Sequence, residues 1–133
     1  MAAQVGAPAA TPWVLADTNA WIDFARDRND LLRLLVESGR IVAHEAVIGE
    51  LTLGCGPRIA RLADRVAGLP VVHGPPIQEI RSFLRAARVP CNGLGWCDAC
   101  LLAACALSGG AVSLLTDDRQ LRQFAVRMGV AYG

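Results

Sequence analysis

Short runs of apolar residues alternate along the chain with longer segments in which apolar residues recur every three or four positions. That mixture predicts strands separated by helices. Trp13-Val-Leu-Ala16 is apolar throughout and stops at Asp17, as a central parallel strand covered on both faces does. Thr18 is placed to cap a helix through Trp21, Ile22 and Phe24, and Asn29 to cap another over Leu31 to Glu37, closed by Gly39. A strand from Arg40 to Ala43 then precedes a helix from Glu45 to Leu53, which Gly54, Gly56 and Pro57 break, and Pro57 opens the next helix, to Ala67. Val71 and Val72 read as a brief strand, Pro75-Pro76 as the start of a helix to Arg88, and Asn92-Gly-Leu-Gly95 as a loop. A nearly all-apolar helix follows from Trp96 to Leu107. The chain closes with a strand from Ala111 to Leu115, a helix opened by Asp118, and a short strand from Val130 to Tyr132. The predicted class is an α/β sandwich with a mainly parallel sheet.

Length and composition narrow this picture. At 133 residues the chain is one domain by size, 53% hydrophobic, and its apolar runs break well short of a membrane span. Residues 1–12, rich in Ala, Gly and Pro, lack the basic and apolar regions of a signal peptide and are expected to form a flexible tail ahead of a domain over 13–133. The five cysteines are an odd set, unsuited to a disulfide framework, and the Cys97-x-x-Cys100 pair has no second pair to complete a zinc site. These thiols are expected to pack in a core helix.

All 13 basic residues are arginine. Without lysine there is no P-loop lysine and no Schiff base. The net charge of +1 conceals a second feature. If four of the 12 acids gather in one site, 13 arginines face the other eight acids, an excess of about five positive charges suited to holding a polyanion.

Four acids interrupt the apolar pattern. Asp17 and Asp118 stand just beyond strand ends, where open parallel sheets bind ligands. Glu50 falls at helical spacing with Val47, Leu51 and Gly54, and is expected to point inward. Asp98 precedes Leu101, Leu102 and Cys105 in a helix with almost no polar face, where an unpaired carboxylate would cost several kcal/mol or bind a proton. Taken singly, each acid has an ordinary role: a helix start for Asp17, Asp98 and Asp118, an arginine partner for Glu50. Four coincident departures favour clustering around a cation, and oxygen-only ligands select hard ions such as Mg²⁺ or Mn²⁺.

Asp17-Thr-Asn19, Glu50, Gly95-Trp-Cys-Asp98-Ala-Cys-Leu-Leu-Ala103 and Leu115-Thr-Asp-Asp118-Arg-Gln-Leu121 together resemble the PIN-domain ribonucleases of the VapC toxin type, over about Val14 to Val130. The resemblance implies a three-layer α/β/α fold and a Mg²⁺ or Mn²⁺ site. It places Asp17, Glu50, Asp98 and Asp118 as catalytic and metal-holding acids. Thr18, Asn19 and Thr116 match polar positions around the site, where they would orient waters or carboxylates. Asp117 sets a second acid beside Asp118, leaving two residues for one role.

The implied function is that of a metal-dependent endoribonuclease, the toxin of a type II toxin–antitoxin system. Water would attack the phosphodiester in line, with an Asp or Glu of the site, Glu50 foremost, as proton acceptor, giving a 5′-phosphate and a 3′-hydroxyl. Arg26 or Arg119 could hold flanking phosphates. The same resemblance implies an RNA substrate, a VapB-type antitoxin partner, a homodimer, and a bacterial or archaeal cytoplasm without membrane association. Two other readings compete. A PIN-like module could hold RNA or protein without cutting, and a histidine-based nuclease would need His44 and His73, which no motif links.

Overall fold

A computed structural model describes residues 13–89 and 94–133. Four strands form one parallel sheet: β1 (Trp13–Ala16), β2 (Ile41–His44), β3 (Val71–Val72) and β4 (Val112–Leu115), in the order β3-β2-β1-β4. Val14, Leu15 and Ala16 are all fully buried. Since successive strand residues point to opposite faces, both faces of β1 are covered, which completes three layers.

Among the described residues seven helices supply the cover: α1 (Thr18–Ala25), α2 (Asp30–Glu37), α3 (Glu45–Thr52), α4 (Pro57–Ala67), α5 (Ile77–Ala86), α6 (Trp96–Ala106) and α7 (Arg119–Arg127). In α6 every residue from Ala99 to Cys105 is buried, which explains why it lacks a polar stripe. It packs against β4, α5, α7 and α3. Among the described residues no helix is long and apolar enough to cross a membrane.

The structure adjusts several expected boundaries. Asp17, not Thr18, caps α1: its carboxylate accepts the Ala20 N–H, and Thr18 is already helical. Asn29 caps α2 as expected, through the Leu32 N–H. The second strand extends through His44, whose imidazole caps α3. At the carboxyl end, Val130 to Tyr132 makes only a single parallel bridge, Ala131 to Leu114, rather than a strand. The expected tail at residues 1–12 and the Asn92-Gly93 half of the expected loop lie outside the described residues.

The chain winds from β1 outward to β2 and β3, then returns to place β4 on the other side of β1. The connections leaving β1 and β4 therefore diverge, opening a crevice at the carboxyl ends of these two strands.

Candidate active site

Asp17 and Asp118 occupy the two lips of that crevice. β1 and β4 run in register from Trp13 opposite Val112 to Ala16 opposite Leu115, so their next residues emerge side by side. Asp17 is 4% exposed. One of its carboxylate oxygens accepts the Ala20 N–H at 2.9 Å and the other accepts the Thr116 hydroxyl. Thr116, itself buried, in turn accepts the Asp118 N–H at 3.0 Å. Asp118 caps α7 through the Leu121 N–H at 2.9 Å.

α3 and α6 close the other sides. Glu50 lies in the last turn of α3 and Asp98 in the first turn of α6. Asp17, Thr18, Asn19, Glu50, Leu53, Asp98 and Asp118 line one cleft of about 440 Å³. The four acids singled out in the sequence, 81 residues apart between Asp17 and Asp98, thus meet at one place. Asp118 lines the cleft and Asp117, exposed, does not. Glu50 departs from expectation: it is exposed on the cleft wall rather than turned inward. Val47 and Leu51 take the buried positions of α3, and the Thr18 hydroxyl donates to Glu50 from α1.

Electrostatics follow from this crowding. Burial pushes the Asp17 carboxyl up, against the Thr116 and Ala20 hydrogen bonds that hold it down, and the Asp118 and Asp117 charges add to the rise. Asp98 is pushed up to about 6, by burial first and then by the charges of Asp17, Asp118 and Glu50. Cys97 is driven well above its usual range by burial and by Glu50 beside it. Without a metal ion it stays a thiol at neutral pH.

The donor set is therefore carboxylate and hydroxyl oxygen, which suits a hard divalent cation. Among the described residues no three or more His, Cys, Asp or Glu side chains stand together as a ready-made ligand set for a metal ion. A cation that keeps several of its waters and takes one or two carboxylates fits such an open cleft, as Mg²⁺ does.

Two roles escaped the sequence reading. Leu53, 86% exposed, lines the cleft beside the acids. Its signal was its place three residues after Glu50, on the same side of the helix. His44 is the cap of the helix that carries Glu50, its Nδ1 accepting the Ala46 N–H at 3.0 Å. Of the arginines considered, Arg119 is exposed next to Asp118, and Arg26 lies at the far end of α1. A larger, mainly apolar groove of about 890 Å³ between β3, α5 and α6 contains none of the four acids.

The PIN domain model matches residues 14–127, and the chain belongs to that family. Within it the chain is of the VapC type. It is 35% identical over 121 residues to Ribonuclease VapC32 of two Mycobacterium tuberculosis strains, covering 89% of this chain and 94% of the relative. The fold is also that of PAE2754 from Pyrobaculum aerophilum, a crystal structure with a TM-score of 0.57 at 19% identity, covering 90% of this chain and 98% of the other.

Proposed function

We propose that this protein is a metal-dependent endoribonuclease, the toxin of a type II toxin–antitoxin pair. The observation that carries the reading is the convergence of Asp17, Glu50, Asp98 and Asp118 on one cleft, in a chain similar to a protein named as a VapC ribonuclease. Asp17, Asp98 and Asp118, with Glu50 at the rim, would hold Mg²⁺ or Mn²⁺. What the ion supplies when bound is Lewis acidity toward water and toward a phosphate oxygen.

The chain's own groups do the rest. Asp17 is fixed by two hydrogen bonds, so its carboxylate is oriented before anything binds. Thr116 holds Asp17 and the Asp118 backbone at once, setting the spacing between the two lips. Glu50, exposed on the wall and steadied by Thr18, accepts the proton of the attacking water. Water adds to phosphorus in line with the leaving O3′, whose bond to phosphorus breaks and which takes up a proton from solvent, giving a 5′-phosphate and a 3′-hydroxyl. Asn19, exposed at the start of α1, orients water or phosphate, and Asp117, on the outer side, adds only its charge. The same reading assigns a VapB-type antitoxin partner, a homodimer, and a bacterial or archaeal cytoplasm.

The deciding experiment is RNA cleavage by the wild type and by Asp98→Asn, each in Mg²⁺, in Mn²⁺ and in EDTA. Cleavage by wild type with either metal alone, abolished by EDTA and by the substitution, is the expected pattern. RNA that binds but is never cut under any of these conditions would instead make the protein a non-cleaving PIN module.

A further inference from the structure

Arg58, Arg61 and Arg65 are exposed on α4, and their spacing of three and four residues puts them along one side of the helix. Leu62, Ala63 and Val66 turn to the core along another. None of the three arginines is paired with a carboxylate among the described residues. Two of them are held against the end of α1: Arg58 donates to the Ala25 carbonyl at 3.4 Å, and the Arg65 guanidinium lies 5.3 Å from the Phe24 ring centre. Exposed Arg26 and Arg28 continue the chain from that point. Asp27 between them is engaged by Arg33 at 3.0 Å.

This basic corner is joined to the acidic cleft twice. α1 begins at the cleft with Asp17 and Thr18 and ends eight residues later at Ala25, a rise of about 12 Å. α3 ends beside Leu53, which lines the cleft, and α4 starts at Pro57 and packs on both α3 and α1. A polyanion with one phosphate at the carboxylates has about one length of α1 to cross before it reaches the arginines.

Resting on the ribonuclease reading, we infer that the α4 face of Arg58, Arg61 and Arg65, with Arg26 and Arg28, is a binding track for the RNA backbone flanking the cut site. Guanidinium forks take phosphate oxygens in pairs. The row extends over about 10 Å of helix axis, enough to follow a repeating backbone charge. An acidic cleft repels the substrate's phosphates, and a neighbouring row of fixed cations compensates outside the reacting centre, where it cannot neutralise the carboxylates. The track reads charge rather than base identity.

The test compares two triple variants that lose the same charge: Arg58→Gln/Arg61→Gln/Arg65→Gln on the track, and Arg81→Gln/Arg85→Gln/Arg88→Gln at exposed positions on and after α5. Each is made in the Asp98→Asn background so that RNA is not consumed, and binding is read by anisotropy across a salt series. With an RNA of about twelve nucleotides, the track variant is expected to bind about tenfold more weakly with a salt slope shallower by about two, and the control to stay within about twofold. With a trinucleotide at the cleft the two should be alike. Equal weakening by both variants would overturn the track, as would full RNA affinity in the track variant, including one that had instead lost its antitoxin. Arg61→Gln alone gives the same comparison if the triple does not fold. Failure of the wild type to cleave would sink the ribonuclease reading while leaving the binding isotherms to decide the track.

Discussion

Thr116 and Asp17, 99 residues apart, are joined by a buried hydrogen bond that ties the end of β4 to the end of β1. The same hydroxyl oxygen accepts the Asp118 N–H, so one side chain positions both lips of the cleft. Thr116→Val keeps the shape but leaves a buried carboxylate oxygen and an amide without their partner. A loss of about 1–3 kcal/mol is expected, together with lower RNA cleavage. Thr116→Ser should restore both, and denaturant melts with cleavage rates for the pair are the check. Full stability in Thr116→Val would mean that water replaces the hydroxyl.

Asp98 carries a pH signature. Its folded carboxyl lies at about 6 against an unfolded value of 3.8, so the native state retains a proton that the unfolded chain has released. The metal-free protein should therefore lose stability as pH rises from about 4 through about 6. Asp98→Asn removes that dependence, and in EDTA at neutral pH it should melt at or above the wild type. Added Mg²⁺, by binding the folded state, should narrow or reverse the order. A variant markedly less stable than wild type in EDTA would recast Asp98 as a structural acceptor.

His44 should show the opposite slope. Burial lowers its pKa from 6.5, outweighing the Glu45 charge that raises it, and His73 lowers it further. Its contribution is present above 6.5 and is lost as pH falls through the lower folded value, because protonated Nδ1 can no longer accept the Ala46 N–H. A positive charge at a helix start adds to the cost. His44→Asn, which can still cap, is expected to melt with a flatter profile below pH 6.5, both proteins being read in the Asp98→Asn background to remove the Asp98 slope.

Gly54 sits where the chain leaves α3 for α4. A Cβ added there would come within 2.5 Å of the Ile59 Cγ2 and 3.1 Å of the Leu51 carbonyl. Gly54→Ala should cost about 1–3 kcal/mol and shift Leu53 at the cleft rim. Thermal melting measures the first, and the KM for RNA the second. An unchanged melt would show that the Ile59 side chain swings aside freely.

Cys97→Ala should retain most activity and release no metal, since Cys97 is not among the residues that line the cleft of the four acids. Metal analysis of purified protein is the check, and zinc lost on substitution would restore the zinc reading of Cys97 and Cys100.

Local signals in the sequence determined much of this protein. The uninterrupted run Trp13 to Ala16 marked a strand covered on both sides, Asn29 and Pro57 marked helix starts, and the carboxylates at positions 17, 50, 98 and 118 stood out against apolar surroundings. Periodicity reports which face of an element is buried, but not which element lies beside it. Only the tertiary structure decided that β4 returns to the far side of β1, and with that order came the Thr116 bond to Asp17 and the crevice itself. Packing of α3 on α4 and β2, with Val47 and Leu51 buried, left Glu50 on the cleft wall, where Thr18 meets it. Asp17 displaced Thr18 as the cap of α1 because the strand ends one residue before it, and its carboxylate reaches forward to accept the Ala20 N–H. Contacts between residues distant in the chain depend on strand order and helix packing, which a one-dimensional pattern does not encode.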